Sequence, residues 1–395
     1  MRIALLIESA GAGAGRHVLD LADTLSQLGH SIDLVYNSVR TDLMFRARLE
    51  GLAPRLTGIL ALRLAHWPHP ADAYEIASLR GYLRRHGPFD ILHCHSTKAG
   101  FLGRVGLTGL ASAIVYTPHA PLTMSPNISP TVRLAVRTLE VALSRNTSAI
   151  IAVCQQEADH LIGFGIARGV VFVVPNGVPA LTRCEDLRVS SRLRLGISNN
   201  DVVIGHVGRL ETQKRVDLLL HAVSRLPQIA KDRIRLVIVG GGSLEGKLRA
   251  MSVALGLDGR VIWAGEVERA ETYMPGFDIF ALTSDYEALP YVLLEALSAG
   301  LPIVTTGVGG SLVTVKHNWN GFVVQPGNIS ETSGAIAELV MEPALRSRMG
   351  SASRALSREF SLDEMVRQTI DVYSRALGIM SSDSSVVRHH ASVQQ

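Results

Sequence analysis

The sequence predicts an α/β protein with two domains, each built around a parallel β-sheet covered by helices. Its 395 residues are too many for one ordinary domain and suit two domains of about 180 residues. Hydrophobic residues make up 47% of the chain, which is enough for two cores. Buried strands followed by glycine-rich turns and helices begin at Ile3 and again at Val202, so each half repeats the same plan.

The polar, basic stretch at 180–200 has the composition of a linker with a short approach helix. We therefore place the N-terminal domain at 1–180 and the C-terminal domain at 181–361. A last helix, at 362–379, is expected to pack back toward the N-terminal domain. The tail at 380–395 is rich in Ser, Val and His, has no hydrophobic periodicity, and is predicted to be disordered.

Charge and cysteine content exclude several classes of protein. The 39 Lys and Arg residues against 35 Asp and Glu give a formal charge of +4, which does not indicate a nucleic-acid partner. Cys94, Cys154 and Cys184 are odd in number and lack C-x-x-C spacing. Neither a disulfide framework nor a cysteine metal site is therefore expected, and a reducing cytosol is indicated.

The N-terminus, Met1 to Glu8, has the pattern of a first strand and not of a signal peptide. No stretch reaches the roughly 18 uninterrupted apolar residues that a membrane-spanning helix needs. We therefore expect a cytoplasmic protein whose contact with the cytoplasmic face of the membrane is at most peripheral.

The first strand–turn–helix–strand unit has a strand at 3–7, a glycine-rich turn at 11–15 and a second strand at 31–36, which is a Rossmann-type arrangement. A dinucleotide fingerprint would need glycine where Arg16 stands, so NAD binding is not favoured. Backbone amides near Gly13 and Gly15 can instead approach a phosphate at the helix N-terminus. The alternative is that these glycines only allow a tight turn and bind no phosphate.

Residues 40–88 are less regular and carry several arginines among apolar residues. This pattern fits either a basic amphipathic surface for anionic lipid headgroups or, as we favour, solvated helix faces. The arginines are Arg40, Arg46, Arg48, Arg55 and Arg63.

Histidines mark the ends of two further strands, at 90–96 and 114–119. Because ligands bind beyond the carboxyl ends of parallel strands, His119 should border a cleft. His93 and His95 are two residues apart on one strand face, which suits a metal ion. No third ligand with sensible spacing appears, so no metal site is expected.

The second half places two cations, Arg209 and Lys214, between a strand and a helix that starts near Val216. Side-chain cations and a helix N-terminus can converge there on a diphosphate; the alternative is a solvated basic loop. A third glycine turn, at 307–310, offers further amides to a phosphate. Helices at about 330–341 and 362–377, with a short one after Pro343, are predicted to close the fold.

Two glutamates eight residues apart lie in the stretch from Ser284 to Ile303. Pro290 fits the first turn of a helix and Gly300 fits its end, so Glu287 belongs to the loop before the helix and Glu295 to the helix itself. The helix is apolar nearly all round, and a buried carboxylate needs a polar partner such as an arginine or backbone amides. Such a pair suggests a ligand rich in hydroxyl groups.

These motifs resemble those of the retaining GT-B glycosyltransferases of family 4. The spacing of Glu287 and Glu295, within Glu-Ala-Leu-Pro and Leu-Leu-Glu-Ala-Leu, is similar to that family's E-x7-E signature. The resemblance covers nearly the whole chain. It extends to the segments 11–17, 90–100, 117–119, 174–178 and 208–214.

The resemblance implies a GT-B fold, with two Rossmann-like domains facing a central cleft, and assigns roles to residues. Arg209 and Lys214 would hold the donor diphosphate, Glu287 the hydroxyls of the donor sugar, and Glu295 the ribose. His119 would line the cleft. The implied catalytic residues are His119, Glu287, Lys214 and Arg209, and the implied substrate-binding residues are Gly13, Gly15, Arg209, Lys214, Glu287, Ala288, Leu289, Pro290 and Glu295.

Two positions depart from the family pattern. Many members have glycine after the lysine, where this chain has Arg215. Many have an acidic residue shortly after the third glycine turn, where 311–313 reads Ser-Leu-Val. The second departure puts one sugar or loop contact in doubt.

The function implied is retaining transfer of a hexose from a nucleoside-diphosphate sugar, with UDP favoured over GDP, to a hydroxyl of a glycan or lipid-linked acceptor. Chains of this kind build bacterial surface polysaccharide or exopolysaccharide. A nucleoside diphosphate is a good leaving group, so no strong general acid is required. No cofactor or metal is expected, because Arg209 and Lys214 can supply the positive charge and the sequence has no Asp-x-Asp motif. The alternatives are a nucleotide-sugar epimerase of the same fold and a non-enzymatic nucleotide-binding scaffold; a glycoside hydrolase using the two glutamates is disfavoured.

Overall fold

The computed structural model describes residues 1–65, 69, 72–125 and 128–379 of the chain. Within these residues the protein consists of two parallel β-sheets with interleaved helices, which confirms the predicted α/β class with two Rossmann-like halves. The tail for which we predict disorder lies outside the described residues.

The first sheet lies in the N-terminal half and has seven parallel strands. They are β1 (Arg2–Ile7), β2 (Ser31–Asn37), β3 (Gly58–Leu62), β4 (Phe89–His95), β5 (Ala111–Thr117), β6 (Ala149–Ala152) and β7 (Val171–Val173). Their spatial order is β3-β2-β1-β4-β5-β6-β7. This order reverses between β1 and β4, as in doubly wound sheets.

The second sheet has six parallel strands and repeats the plan. They are β8 (Val202–Val207), β9 (Ile234–Val239), β10 (Val261–Gly265), β11 (Ile279–Leu282), β12 (Ile303–Thr306) and β13 (Gly321–Val324). The spatial order is β10-β9-β8-β11-β12-β13, so the reversal falls between β8 and β11.

Helices connect the strands. Those of the first half are α1 (Ala12–Gln27), α2 (Leu43–Leu52), α3 (Asp72–His86), α4 (Thr97–Gly106), α5 (Pro130–Ser144) and α6 (Gln155–Gly163). They are followed by α7 (Cys184–Leu195), α8 (Val216–Ser224), α9 (Gln228–Lys231), α10 (Glu245–Ala254), α11 (Tyr291–Ala299), α12 (Ser311–Thr314), α13 (Ile329–Met341), α14 (Pro343–Leu356) and α15 (Leu362–Ala376).

Strand β1 shows why these sheets are buried on both faces. Ile3 and Leu5 belong to one hydrophobic core, whereas Ala4 and Leu6 belong to another on the opposite face. Successive side chains of a strand point to opposite faces, so a strand covered on both sides reads as a continuous apolar run. Helix α15 contributes side chains such as Tyr373 to the same core as α1.

Local signals account for several helix boundaries. The side chain of Asn328 accepts a hydrogen bond from the amide of Glu331 at the start of α13. Helix α11 ends at Gly300, whose φ of 72° is a left-handed conformation that glycine adopts without steric cost. Pro290 is the N-cap residue of α11, one residue before the first turn in which we predict it.

Three details differ from the sequence predictions. Gly13 and Gly15 lie in the first turn of α1, and not in a turn before it, because Gly11 already takes the extended conformation that starts the helix. The helix after Pro343 is long, with 14 residues. Strand β3, which the irregular stretch 40–88 did not suggest, pairs with β2 at the sheet edge. None of the helices in the described part of the chain is both long and apolar enough to cross a membrane.

A glycine in the centre of β8 provides a test of the packing. A Cβ atom at Gly205 would lie 2.0 Å from the buried ring of Phe277. We expect Gly205→Ala to destabilise the protein by about 1–3 kcal/mol, because the ring must move within a dense core. Gly334→Ala is the matched control: this position is exposed in α13 with open space around it. It should stabilise the protein by about 0.5–1 kcal/mol. Urea unfolding measures both, and equal effects would contradict the packing described here.

Candidate functional site

The candidate site lies at the two points where strand order reverses. Loops that leave the carboxyl ends of strands beside such a point form the ligand crevice of open α/β sheets. Residues 11–17 follow β1, and His95 ends β4. In the second half, residues 208–214 follow β8 and residues 283–290 follow β11. The segments singled out from sequence are therefore the ones that the fold brings to the crevice.

Glu287 is held by two donors from its own half of the chain. Its Oε1 accepts hydrogen bonds from Lys214 Nζ at 2.5 Å and from Ser284 Oγ at 2.7 Å. The glutamate is 8% exposed. Because a buried carboxylate needs polar partners, Lys214 and Ser284 together fix the position of this group. The sequence did not single out Ser284 as a contact of Glu287.

Lys214 and Arg209 occupy different environments in the same loop. Lys214 ends a short 3-10 turn, and its side chain is only 13% exposed. Arg209 is exposed to solvent. One cation is therefore anchored at Glu287 while the other is available to an anionic ligand that enters the crevice.

Arg215 stands in a left-handed conformation, with φ of 47°, at the start of α8. Glycine is the residue that takes this conformation most easily, which explains its frequency at this position in the family that the chain resembles. Here the arginine side chain pairs with Asp217 at 3.1 Å and with Asp285 at 3.0 Å. These two ion pairs hold the residue outside the Lys214–Glu287 contact.

The third glycine turn, 307–310, packs directly on the loop that carries Glu287. A Cβ atom at Gly309 would lie 1.8 Å from the carbonyl oxygen of Glu287, and the amide of Gly310 donates to the carbonyl of Ala288. The amides of residues 307 and 308 also donate to protein oxygens. These three amides are therefore engaged within the protein, and the turn supports the Glu287 loop.

Glu295 has the arginine partner that its burial required, and the partner comes from the other half of the chain. Arg16, in the first turns of α1, forms an ion pair with Glu295, which is 6% exposed. The guanidinium also lies 3.4 Å from Asp20 and over the ring of Tyr291. This contact joins α1 to α11 across the crevice.

His17 forms a second link between the halves. Its Nδ1–H donates to Asn176 Oδ1 at 3.1 Å and also lies 3.1 Å from the hydroxyl of Tyr291. The Asn176 amide donates in turn to the carbonyl of Leu289 at 2.8 Å. A Cβ atom at Gly13 would lie 3.4 Å from the Tyr291 ring. The first turn of α1 therefore packs directly against α11.

Four histidines meet on the N-terminal side of the crevice. His95 Nδ1 lies 3.1 Å from His119 Nε2, and the ring centroids of His17 and His119 are 4.7 Å apart. His93 packs against His95, but its two nitrogens bond to other residues. His17 and His119 approach His95 from distant parts of the sequence, so spacing along the chain does not reveal that these rings are neighbours.

Burial determines the charge of these rings. It lowers the pKa of His17 to about 4, and it lowers the pKa values of His93, His95 and His119 well below their ordinary value. Mutual repulsion between the rings acts in the same direction for the last three. The rings are therefore uncharged at neutral pH, and the cations of the crevice are concentrated on the C-terminal side.

His119 and Ala120 have φ values of 54° and 66°, which are unfavourable for residues with a Cβ atom. Such strain is typical of functional sites. Here the amide of Ala120 donates to Glu157 at 2.9 Å, which helps to hold the turn. The turn directs His119 into the crevice.

Several arginines of the stretch 40–63 are engaged in ion pairs. Arg40 pairs with Glu8 and Arg48 pairs with Asp20. Arg55 also pairs, at 2.8 Å, with Asp23. These three side chains therefore balance acids of the same half.

Two family models match the chain. Residues 11–180 match the model described as Glycosyltransferase Family 4, and residues 190–356 match the one described as Glycosyl transferases group 1. The two matches together cover the second sheet, every strand of the first sheet except β1, and all the segments of the crevice.

Individual relatives resemble the chain over most of its length. A D-inositol 3-phosphate glycosyltransferase of Xylanimonas cellulosilytica is 27% identical over 92% of each chain. A UDP-Gal:α-D-GlcNAc-diphosphoundecaprenol α-1,3-galactosyltransferase of Escherichia coli is 26% identical over 76% of this chain and 79% of the relative. The crystal structure of Anabaena HepE in complex with UDP-glucose superimposes with a TM-score of 0.80, at 23% identity over 95% of this chain and 99% of HepE. This likeness confirms the predicted fold.

His206 lies beneath the loop of Arg209 and Lys214. Its Nδ1 bonds to the carbonyl of Ala281 at 3.1 Å, and the ring is fully buried. Burial is the main reason that the pKa of His206 is lowered to about 4, and the charge of Lys214 lowers it further. The folded protein therefore keeps this ring neutral at pH values where the unfolded chain protonates it.

This difference predicts an acid-sensitive fold. Below pH 6.5 the unfolded chain binds a proton that the folded His206 does not, so stability falls as the pH falls toward 4. From the two pKa values, His206 contributes about 3 kcal/mol to this loss. We expect His206→Asn, which keeps a donor to Ala281, to reduce the loss of urea-unfolding free energy between pH 7 and pH 4.5. His221→Gln, at a half-buried histidine of α8 that does not contact the loop of Lys214, is the control and should not reduce this loss. Parallel pH profiles for wild type and His206→Asn would contradict this assignment.

Proposed function

Since the chain belongs to the GT-B glycosyltransferases, we propose that it moves a sugar from a UDP-sugar to a hydroxyl of a lipid-linked acceptor, with retention of the anomeric configuration. The observation that carries this proposal is the Glu287 carboxylate, fixed by Lys214 and Ser284 beside an exposed Arg209 where strand order reverses. It combines a site for hydroxyl groups with cations for a diphosphate.

The donor diphosphate fits the cationic wall. As the bond between sugar and phosphate breaks, negative charge grows on the leaving diphosphate. Preplaced cations that meet this charge lower the barrier. Lys214 carries three N–H donors and uses one at Glu287, so it can bind a phosphate oxygen as well. Arg209 offers a planar guanidinium that suits phosphate.

The donor sugar fits the carboxylate of Glu287. Both hydrogen bonds that fix this group go to Oε1. Within the described part of the chain, Oε2 has no hydrogen-bond partner, so it is available to accept from sugar hydroxyls. The backbone of Ala288 and Leu289 extends the proposed sugar-binding surface from Glu287 toward Pro290 and α11. The ribose would lie near Glu295, where Gly13 and Gly15 keep the first turn of α1 close.

The acceptor and the nucleotide are inferred from the relatives. The E. coli relative is named for UDP-galactose and a diphosphoundecaprenol-linked acceptor, and HepE was crystallised with UDP-glucose. In this chain the acceptor would enter from the side of His119. Helix α5 is the next α-helix after His119 in the chain. It exposes Val132, Leu134 and Leu139 and carries Arg137. Such a face supports peripheral contact with an anionic membrane on the cytoplasmic side.

The partners of the two glutamates disfavour hydrolysis by a carboxylate pair. A glycoside hydrolase needs one protonated carboxyl group as its acid. In this chain both carboxyl groups are instead held in ion pairs, Glu287 with Lys214 and Glu295 with Arg16. A nucleoside diphosphate leaves without strong acid catalysis, and we propose that the two cations replace a metal ion. Closure of both halves would keep water from the sugar.

The first test measures nucleotide release from a panel of UDP- and GDP-sugars, with and without lipid extract. We expect release from one UDP-sugar, stimulated by lipid, and an α-linked product by NMR. Lys214→Ala and Glu287→Ala should each lower kcat by about 100- to 1000-fold, the effect of removing one preplaced electrostatic group. Lys247→Ala, an exposed lysine of α10, is the matched control and should retain full activity.

Two results would count against this function. Release of nucleotide with an altered free sugar and no acceptor product would indicate the epimerase. A folded protein that binds UDP but releases nothing from any donor would indicate a scaffold.

The second test concerns Glu295. If its carboxylate accepts from the ribose, Glu295→Gln loses one charged hydrogen bond, worth about 1.5–3 kcal/mol. The glutamine keeps an oxygen that can accept from Arg16, so the contact between α1 and α11 is retained. We expect KM for the donor to rise about 10- to 100-fold while kcat changes little, because the ribose does not react. The inhibition constant of UDP should rise in parallel. A fall in kcat with an unchanged KM would place Glu295 elsewhere in the reaction.

A further inference from the structure

The histidines of the crevice form a group that the proposed transfer does not fully use. His17, His95 and His119 each offer one ring nitrogen, and these three nitrogens lie within 4.8 Å of one another. Zinc–nitrogen bonds of about 2.0–2.1 Å place the ligands of a tetrahedral site roughly 3.4 Å apart. The group therefore needs to contract by little more than about 1 Å.

Neighbouring residues orient His17 as they would a metal ligand. Its Nδ1–H donates to Asn176 Oδ1, and the Asn176 amide is fixed by the carbonyl of Leu289. A hydrogen bond at one ring nitrogen sets the tautomer and leaves the lone pair of the other nitrogen free. For His17 this leaves Nε2 as the nitrogen that can bind an ion.

His95 supplies an independent sign of a missing ligand. Its ring is fully buried, and within the described residues its Nε2 has no hydrogen-bond partner. Buried polar atoms are nearly always paired, so an unpaired one at the centre of a histidine cluster points to a ligand. His93 does not share this property, because Tyr373 and Thr117 occupy its two nitrogens.

We propose that His17, His95 and His119 bind a divalent transition-metal ion, of which Zn²⁺ is the best match, and that the bound ion inhibits sugar transfer. Three neutral imidazoles are an established zinc ligand set, and they leave the fourth position open. Imidazole selects such ions over Mg²⁺ and Ca²⁺, which prefer oxygen. The ion is an inhibitor and not a cofactor of the transfer.

The inhibitory part rests on the proposed function. His119 belongs to the side from which the acceptor would enter, so an ion on its ring removes a contact that the substrates need. The ion also brings two positive charges to the wall opposite Lys214 and Arg209. A diphosphate drawn toward that wall would leave its productive position.

The closing experiment separates binding from inhibition. The full-length protein, treated with a chelator and then desalted, is titrated with Co²⁺ while its visible absorption is followed, and Zn²⁺ is then added. We expect one equivalent of Co²⁺ with the strong absorption of a four-coordinate site, displaced by one equivalent of Zn²⁺. His119→Gln should weaken binding by at least about 10- to 100-fold, the range found for losing even a supporting partner of a metal ligand.

Two further variants keep the result interpretable. His17→Asn keeps a donor for Asn176 but removes Nε2, so it should lose binding even if His119→Gln fails to fold. The adjacent histidines of the C-terminal tail are the competing site, and His389→Gln with His390→Gln should bind Co²⁺ as wild type does. Loss of binding in the tail variant with retention in His17→Asn, or an absorption typical of six oxygen ligands, would overturn the metal site.

Measurements of activity test whether the bound ion inhibits sugar transfer. In the presence of an active donor, Zn²⁺ near its dissociation constant should halve nucleotide release, and EDTA should restore it. Metal binding without inhibition would overturn the inhibitory role and leave the site in place. If no donor is turned over at all, the proposed function fails, while the Co²⁺ titration still decides the metal site.

Discussion

The ion pair between Arg16 and Glu295 is the contact on which the geometry of the crevice depends. Glu295 lies in a helix that is apolar nearly all round, and the second half of the chain does not supply the arginine that pairs with it. A buried ion pair adds little net stability, because desolvation offsets the attraction, but breaking it is costly. Its main effect is therefore to fix how α1 meets α11. Once that contact is made, His17 reaches Asn176, and the histidines face the Glu287 loop.

Close backbone contacts complete this arrangement. At Gly15 a Cβ atom would lie 2.1 Å from the carbonyl of Ala10, and at Gly309 it would lie 1.8 Å from that of Glu287. Neither backbone can yield without moving a strand end or the donor loop. These glycines therefore act by allowing segments to touch, which is a different role from offering amides to a phosphate. The two roles are hard to separate in a sequence, since both require glycine near a helix start.

Much of this arrangement could be predicted from local patterns. The strands that precede the crevice are continuous apolar runs, and Pro290 and Gly300 bound α11 as their conformational preferences require. The loop positions of Lys214 and Glu287 followed from the same signals. Strand β3 and the length of α14 were missed because neither carries a strong periodic signal. The convergence of His17, His95 and His119 was missed for another reason: each follows a different strand, and only the order of strands in the sheet makes them neighbours.

The division of charge across the crevice links these features to chemistry. Lys214 and Arg209 stand on the second half, whereas the facing wall carries four imidazoles that burial keeps uncharged. Protonated rings would compete with the two cations for a diphosphate and draw it away from Glu287. Neutral rings still offer hydrogen bonds to hydroxyl groups, so they can hold a sugar or an acceptor without attracting phosphate. The burial that makes these rings suitable for hydroxyl groups also leaves lone pairs of His17, His95 and His119 open to a transition-metal ion. A site of this kind therefore gains selectivity for its anionic ligand but becomes sensitive to transition-metal ions.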